Sequence, residues 1–464
     1  MTSLSGAGSD RKDVLDVAVI GAGFSGLAAA RALSTAGLTR IAVLEARDRV
    51  GGRVFNDHVA NGFPVEMGGT WTGPGQWVLW DLVEELGIAR RPQYYKGEGY
   101  AIVQGQAMRV PSTDHVDERF VAELDALAET VPIDAPWTAP RAAEWDVMTY
   151  ADYLAGTNLS AEERASLDIA TLISHAALPD AISFLYVLYY IHSAGGYNRL
   201  EGIEHGQQRW QRFVGGSQAI ALKMAEALGD AVRLSSPVTE IRSWDKSGPV
   251  ELATATGTIT ARRVILALSP SQAAGIRFAP ALPAGKAGLI QAWPGSGASG
   301  IKVFVSYDKP FWREQRLSGS IYNFGGAYAW AADASPDDQS IGVLGTLGLT
   351  GDGRTSAQRK AAILESFAKC FGPEALKPTA YVEQDWEQET YTRGCVSPLA
   401  KGVLTRHGAA LRTPTGRLLW AGTETATVWT GYMDGAIRAG RRAAGEALAA
   451  LVQEMDEDHR ILAA

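Results

Sequence analysis

The stretch VLDVAVIGAGFSGLAAARALSTAGLTRIAVLEARDRVGGR, residues 14–53, decides the fold. Val14 to Ile20 is apolar and β-branched apart from Asp16, the pattern of a buried strand. Gly21-Ala-Gly23-Phe-Ser25-Gly26 follows, Leu27 to Leu33 reads as a helix, and Ile41 to Glu45 as a second apolar strand ending in an acid. Glu45 stands 19 residues after Gly26, the length of a βαβ dinucleotide-binding unit. Gly21 permits the tight turn, Gly23 lets the backbone approach a pyrophosphate, and Gly26 allows close strand–helix packing. The helix N-terminus adds free N–H groups and a partial positive charge for phosphate. An isolated glycine turn binds nothing in many chains, but here strand, helix and acid stand in register. A carboxylate at Glu45 accepts hydrogen bonds from a ribose 2′-OH and repels a 2′-phosphate, which disfavours NADP. The continuation, Glu45-Ala46-Arg47-Asp-Arg-Val-Gly51-Gly52-Arg53, adds cations and a glycine pair. Alone it would be a solvated basic turn; directly behind the fingerprint it suits a longer diphosphate ligand and favours FAD over NAD.

Composition sets the outer bounds. With 464 residues, 46% apolar and 20% charged, the chain is globular and long enough for two or three domains. Its 51 glycines exceed the usual ~7% and cluster in short loops rather than at every third position, which excludes collagen. A net charge of −8 argues against a general nucleic-acid surface and against an anionic membrane. Two cysteines, Cys370 and Cys395, give no disulfide framework. No His-Glu-x-x-His or Cys-x-x-Cys occurs, so no metal site is expected. Residues 1–13 lack the apolar stretch of a signal peptide, and the longest apolar run, Ala181 to Ile191, is too short to span a bilayer. A soluble cytoplasmic protein is the expectation.

Further along, Glu251 to Thr256, a turn at Gly257, and Thr258 to Leu268 read as a hairpin continuing into a buried strand. Residues 160–192 are helical in pattern, and Tyr432 to about Val452 is an alanine-rich helix. No internal repeat and no Pro/Gly/Ser linker divides the chain. Periodicity alone therefore gives an α/β chain with its boundaries open.

Four blocks carry a resemblance: Gly21 to Gly26, Glu45 to Arg53, Glu66-Met-Gly-Gly-Thr-Trp71, and Ala421-Gly-Thr-Glu-Thr-Ala-Thr-Val-Trp-Thr-Gly-Tyr-Met-Asp-Gly435. Phe213-Val-Gly-Gly-Ser217, Ile301-Lys-Val-Phe-Val305 and Lys309-Pro-Phe-Trp312 add weaker matches. In this order they resemble the flavin monoamine oxidases, within the wider group of FAD amine oxidases. The resemblance implies a discontinuous Rossmann-type FAD-binding domain (residues 1–80, 212–285 and 392–464) and a mixed-sheet and helical substrate domain of α+β type (81–211 and 286–391), with the flavin at their junction. It implies that Gly21, Gly23, Ser25, Gly26, Glu45, Ala46, Arg47, Gly52, Arg53, Gly68, Gly69, Thr70 and Trp71 lie along the cofactor. Val238 would sit by the adenine, and Gly422, Glu424 and Met433 near the ribityl chain and ring. The helix beginning after Gly-Tyr-Met-Asp-Gly would aim its positive end at the flavin; Asp434 as an ordinary cap is the simpler alternative, and both can hold.

The resemblance also assigns the chemistry. An amine, neutral at nitrogen, gives a hydride equivalent to flavin N5; the imine hydrolyses to aldehyde or ketone, and O2 reoxidises the flavin to yield H2O2. Lys302, a lone charge in an apolar strand, matches the lysine at N5. Tyr432 matches one wall of an aromatic cage, and Trp386 a tryptophan beside the isoalloxazine. Cys395, nine residues after Trp386, matches the cysteine that in covalent members forms a thioether to the flavin 8α-methyl. The alternative for Cys395 is a small cysteine packed under the ring. Val396 departs from the pattern, since mammalian-type members carry a second cage tyrosine there. Trp429, Tyr328 or Trp330 could complete the cage, and a wider mouth suits a bulkier or branched amine. The alternatives are an L-amino-acid oxidase, which needs a pocket arginine for the carboxylate, a flavin desaturase, and a non-catalytic flavin-binding scaffold. The amine, the physiological electron acceptor and the choice between monomer and homodimer stay open at this level.

Overall fold

A computed structural model describes residues 14–111, 117–204, 207–293, 300–349, 353–394 and 398–463. They form two compact units, each assembled from separated stretches of chain. The first lies within Met1–Gly52, Ile220–Trp293 and His407–Ala464; the second within Arg53–Ala219 and Pro294–Arg406.

The first unit is built on an eight-stranded, largely parallel sheet. Its strands are β1 (Leu15–Ile20), β2 (Ile41–Leu44), β3 (Val232–Arg233), β4 (Val238–Arg242), β5 (Val250–Thr254), β6 (Gly257–Leu266), β7 (Arg277–Ala279) and β8 (Leu418–Trp420). They run in the order β3-β2-β1-β6-β5-β4-β7, with β8 beside the end of β6. The pairs β1–β2, β1–β6, β2–β3 and β6–β8 are parallel; the β5–β6 hairpin and β4–β5 are antiparallel. β1 and β2 are apolar runs because a strand covered on both faces has no solvent side for alternation. Between them helix α1 (Phe24–Thr35) crosses over, completing the expected βαβ. Against it packs the long C-terminal helix α2 (Met433–Ala463). The contact is backbone-close: a Cβ on Gly440 would lie 2.1 Å from the Ser25 carbonyl oxygen.

The second unit holds a seven-stranded mixed sheet in the order Ala380–Asp385, Gly300–Tyr307, Gly342–Leu349, Tyr328–Asp333, Leu317–Phe324, Glu98–Val103, Gln106–Pro111. Strand alternation divides Gly300–Tyr307 between two faces. Ile301, Val303, Val305 and Tyr307 enter a core built with helix Ser356–Phe371. Phe304 enters a different cluster with Val59, Val65 and Met67, and Lys302 shares that face. A helical part includes Ala161–His175 and Phe184–Ala194. The latter is buried nearly all round, which explains its apolar run from Phe184 to Ile191. Among the described residues no helix is long and apolar enough to cross a membrane.

Candidate active site

In the first unit the fingerprint residues form a connected cradle. Gly21 has φ +101°, and a Cβ on Gly26 would lie 1.9 Å from the Gly21 carbonyl oxygen, so the turn and the helix start tolerate no side chain. The Gly51 N–H donates to the Ala22 carbonyl at 2.9 Å, laying the second glycine loop, with Gly52, beside the first. Glu45 is buried at the end of β2. Its carboxylate accepts the Ala22 N–H at 2.8 Å and the Arg47 N–H at 3.1 Å, and the Arg47 guanidinium lies 3.6 Å away. Ser236 N–H donates to the Glu45 carbonyl at 2.7 Å and Ser235 N–H to the Arg47 carbonyl at 2.8 Å. Those bonds bring the start of β4, with Val238, to the same loop as Glu45, Ala46 and Arg47. Ser25 lies in the first turn of α1, buried, and its hydroxyl has no hydrogen-bond partner among the described residues.

The Ala421–Gly435 block folds back on itself in the same unit. Thr425 Oγ1 donates to the Gly422 carbonyl at 2.7 Å, Thr423 Oγ1 to the Tyr432 carbonyl at 2.8 Å, and Thr430 Oγ1 to the Thr423 carbonyl at 3.3 Å. A Cβ on Gly422 would lie 2.3 Å from the Leu268 carbonyl oxygen, so a buried Glu424 and a bare Gly422 stand together at the end of β6. Tyr432 packs edge-on against Trp429, ring centroids 4.9 Å apart. Met433 opens α2, and Asp434 in its first turn is held by Arg438 at 2.5 Å.

In the second unit three distant pieces of sequence meet at residues 66–71. Lys302 donates from Nζ to the Gly68 carbonyl at 2.6 Å and to Thr70 Oγ1. Its ammonium lies 5.1 Å from the centroid of the Trp71 ring and 5.8 Å from that of Phe304. Trp386, just past strand Ala380–Asp385, donates from Nε1 to the Met67 carbonyl at 2.7 Å. A Cβ on Gly68 would come within 3.0 Å of the Trp386 ring and 2.1 Å of the Arg53 carbonyl oxygen, so the backbone is pinned between them. Gly69 N–H donates to that Arg53 carbonyl at 3.1 Å, and Ser217 Oγ to the Gly69 carbonyl at 2.5 Å. Of the residues offered to complete an aromatic cage, Tyr328 is fully buried with its hydroxyl on Ser366 at 2.8 Å, and Trp429 is buried behind Tyr432. Trp330 meets Trp71 edge-on at 5.2 Å. Cys395 and Val396 lie outside the described residues. Among the described residues no group of His, Cys, Asp and Glu could hold a metal ion.

A network unread in the sequence lies behind Lys302. Buried Arg212 pairs with buried Glu66 and donates from Nη1 to Gln93 Oε1 at 3.2 Å. The same Gln93 oxygen accepts the Trp71 Nε1–H at 3.0 Å, and Gln93 Nε2 donates to the Asp333 carbonyl. The available signal was weak: one glutamate before Met-Gly-Gly and one arginine before Phe-Val-Gly-Gly.

The profile of the family described as flavin containing amine oxidoreductase matches residues 24–448. Flavin-containing amine oxidase A of Equus caballus is 35% identical over 468 residues, covering 96% of this chain and 87% of its own. Among solved structures, wild-type putrescine oxidase bound to putrescine superposes with a TM-score of 0.85 at 32% identity, covering 94% of this chain and 99% of its own. Cyclohexylamine oxidase from Brevibacterium oxydans IH-35A gives a TM-score of 0.86 at 34% identity over 94% of this chain. This chain therefore belongs to the flavin-containing amine oxidoreductase family. It is a flavin-dependent amine oxidase, and the family implies FAD as its cofactor. The first unit fits that cofactor: a buried hydroxyl without a partner among the described residues sits at the start of α1, beside a glycine cradle and a carboxylate held by backbone N–H groups.

Proposed function

We propose that this enzyme oxidises a primary or secondary amine borne on a bulky or branched carbon, with Lys302 and Trp386 serving the flavin reaction and Tyr432 serving substrate binding. The convergence of Lys302 and Trp386 on residues 67–70 carries this reading. Ser25, Glu45 and the two glycine loops would hold the diphosphate and ribose of FAD, Val238 its adenine, and Gly422, Glu424 and Met433 its ribityl end. A bound flavin supplies the acceptor for hydride from the amine α-carbon and passes the electrons to oxygen, which leaves as peroxide.

The chain's own residues supply binding, orientation and charge. Lys302, anchored to Gly68 and Thr70, is a fixed cationic donor able to hold a water. Trp386 has its indole N–H engaged by Met67, which sets the plane of its ring. Tyr432, braced by Trp429, gives the substrate an aromatic wall. Desolvation there favours the neutral amine, the form that can react. Arg212, which shares ring faces with Lys302, is engaged by Glu66 and Gln93 and is not offered to a substrate carboxylate. That favours simple amines over amino acids. Val396 in place of a cage tyrosine favours a broader substrate than a linear one.

A peroxide-coupled panel of short aliphatic, cycloalkyl, arylalkyl and diamine substrates, with L-amino acids as a further arm, tests this. The expected order has cycloalkyl and arylalkyl amines highest in kcat/KM. Preference for a linear diamine or for an amino acid would sink it.

The same reading extends to Cys395 as a thioether ligand of the flavin. The N–H of its neighbour Gly394 donates to the Trp386 carbonyl at 3.2 Å, which supports it. Flavin that stays with acid-precipitated protein and is lost from Cys395→Ala establishes the bond. Flavin wholly in the supernatant reduces Cys395 to packing.

A further inference from the structure

We infer that the buried pair Glu66–Arg212, linked through Gln93 to Trp71, is a positioning unit that sets the charge environment of Lys302. The inference rests on the reading of Lys302 given above, but its geometry lies wholly within the second unit. Arg212 stands 5.8 Å from the centroid of Trp71 and 6.0 Å from that of Phe304, the same two rings that Lys302 approaches at 5.1 and 5.8 Å. Two cations therefore share two aromatic rings in a region where the Arg212 and Glu66 side chains are only 2% and 5% exposed. Aromatic faces attract each cation, and the cations repel one another. Glu66 cancels the charge of Arg212, so that Lys302 meets a neutral pair. Gln93 fixes the floor: one oxygen accepts from both the Arg212 guanidinium and the Trp71 indole, locking the ring under Lys302 to the pair behind it.

Neighbouring charged groups among the described residues have partners of their own, and Glu389 accepts the Gln384 Nε2–H at 3.2 Å. Arg91, on the strand Arg90–Pro92 paired with Gln211–Phe213, is bound to the carbonyls of Ala334 and Ser335. Asp333 is held by Arg313, whose Nη2 lies 3.0 Å from its Oδ1. Arg53 meets the loop at residues 68–69 through its backbone carbonyl. The residues paired with Lys302 across its sheet, Leu347 and Gln384, are uncharged. Beside Gln384, Glu383 takes Arg359 and Tyr381, and Asp385 takes the Glu387 N–H.

Breaking the pair from either side leaves a charge of opposite sign. At about 10 Å and an effective dielectric of about 20, one unit charge moves a titration midpoint by about one pH unit. Competitive acetylation of the holoenzyme with trace acetic anhydride across pH, read on the Lys302 peptide by mass spectrometry, measures that midpoint on the nitrogen itself. Glu66→Gln is expected to lower it by about one unit and Arg212→Met to raise it by a similar amount, while Arg212→Lys leaves it in place. Shifts in the same direction, or none in Glu66→Gln, overturn the inference. Should Arg212→Met fail to fold, Glu66→Gln against Arg212→Lys decides: a lowered midpoint in the first alone supports it, and equal behaviour of the two overturns it. The pH profile of oxygen consumption is expected to move with the midpoint. If Lys302→Met consumes oxygen at the parent rate, the catalytic reading of Lys302 fails while the titration still tests the electrostatic one.

Discussion

Two side chains are proposed to divide the recognition of FAD at the fingerprint. Glu45 has both carboxylate oxygens engaged by backbone N–H groups, which fixes its direction and leaves lone pairs for a ribose hydroxyl. Ser25, buried without a partner among the described residues, is proposed to give its hydroxyl to a diphosphate oxygen. Removing one such hydrogen bond to a charged group costs about 1.5–3 kcal/mol. Ser25→Ala is therefore expected to weaken FAD binding more than tenfold, measured by flavin fluorescence on titrating apoprotein; an unchanged affinity would free Ser25 of the role. Lys302 was legible as a lone charge in an apolar strand, and strand alternation gives it a face away from the helix-covered core. Its replacement by Met should keep the flavin and lower the oxygen-reaction rate by about 10²-fold, the scale of losing one fixed charged donor. Stopped-flow reoxidation at the parent rate would remove it from the mechanism. Arg212, Glu66 and Gln93 were not legible. Arg212 lies 146 residues from Glu66 and 119 from Gln93 in sequence, and no local pattern connects them.

Elements show the same contrast between local and distant order. The β1–α1–β2 unit is contiguous, so hydrophobic period, glycine spacing and terminal acid specify it within about thirty residues. The hairpin of β5 and β6 was equally readable. What α1 packs on was not: α2 comes from the other end of the chain, and only Gly440, whose Cβ would strike Ser25 O, betrays the contact. Gly440→Val is expected to lower the melting temperature and loosen FAD together, because it pushes the helix that carries Ser25. Calorimetry and flavin retention check this, and a variant as stable as the parent would contradict it. The helical part of the second unit carries a pH dependence of its own. His175, closing helix Ala161–His175, is pushed down to about 3 by burial. Its Nδ1 faces Ser174 Oγ at 2.8 Å, and its Nε2 has no partner among the described residues. The unfolded chain thus binds a proton near pH 6.5 that the fold refuses until about 3. Stability from this group is full above the unfolded value and falls as pH drops through that window. Melting temperatures between neutral pH and about pH 4 should fall less steeply for His175→Leu than for the parent. Parallel curves would show that His175 is not the titrating group.

For the whole molecule, the two compact units answer two separate tasks. One carries a largely parallel sheet with glycine loops at its strand ends; the other carries an antiparallel-rich sheet from which Lys302, and Trp386 just past a strand, meet one short loop. Each is stitched from stretches far apart in the chain, and for this reason composition and periodicity gave no boundaries while long motif blocks gave the family. The order of those blocks, from Gly21 to Gly435, was legible because each is a local backbone solution that few sequences satisfy. The substrate was not, because it depends on side chains brought together by folding and on Val396, which departs from the mammalian pattern. The most direct test of the account joins cofactor to chemistry in one experiment. Purified protein is denatured to identify its nucleotide, and the native sample is assayed for peroxide formed per amine consumed. The expected result is a yellow protein that releases or covalently retains FAD, with equimolar peroxide and amine loss that Lys302→Met slows. A colourless protein that binds NAD, or amine consumed without peroxide, would contradict it.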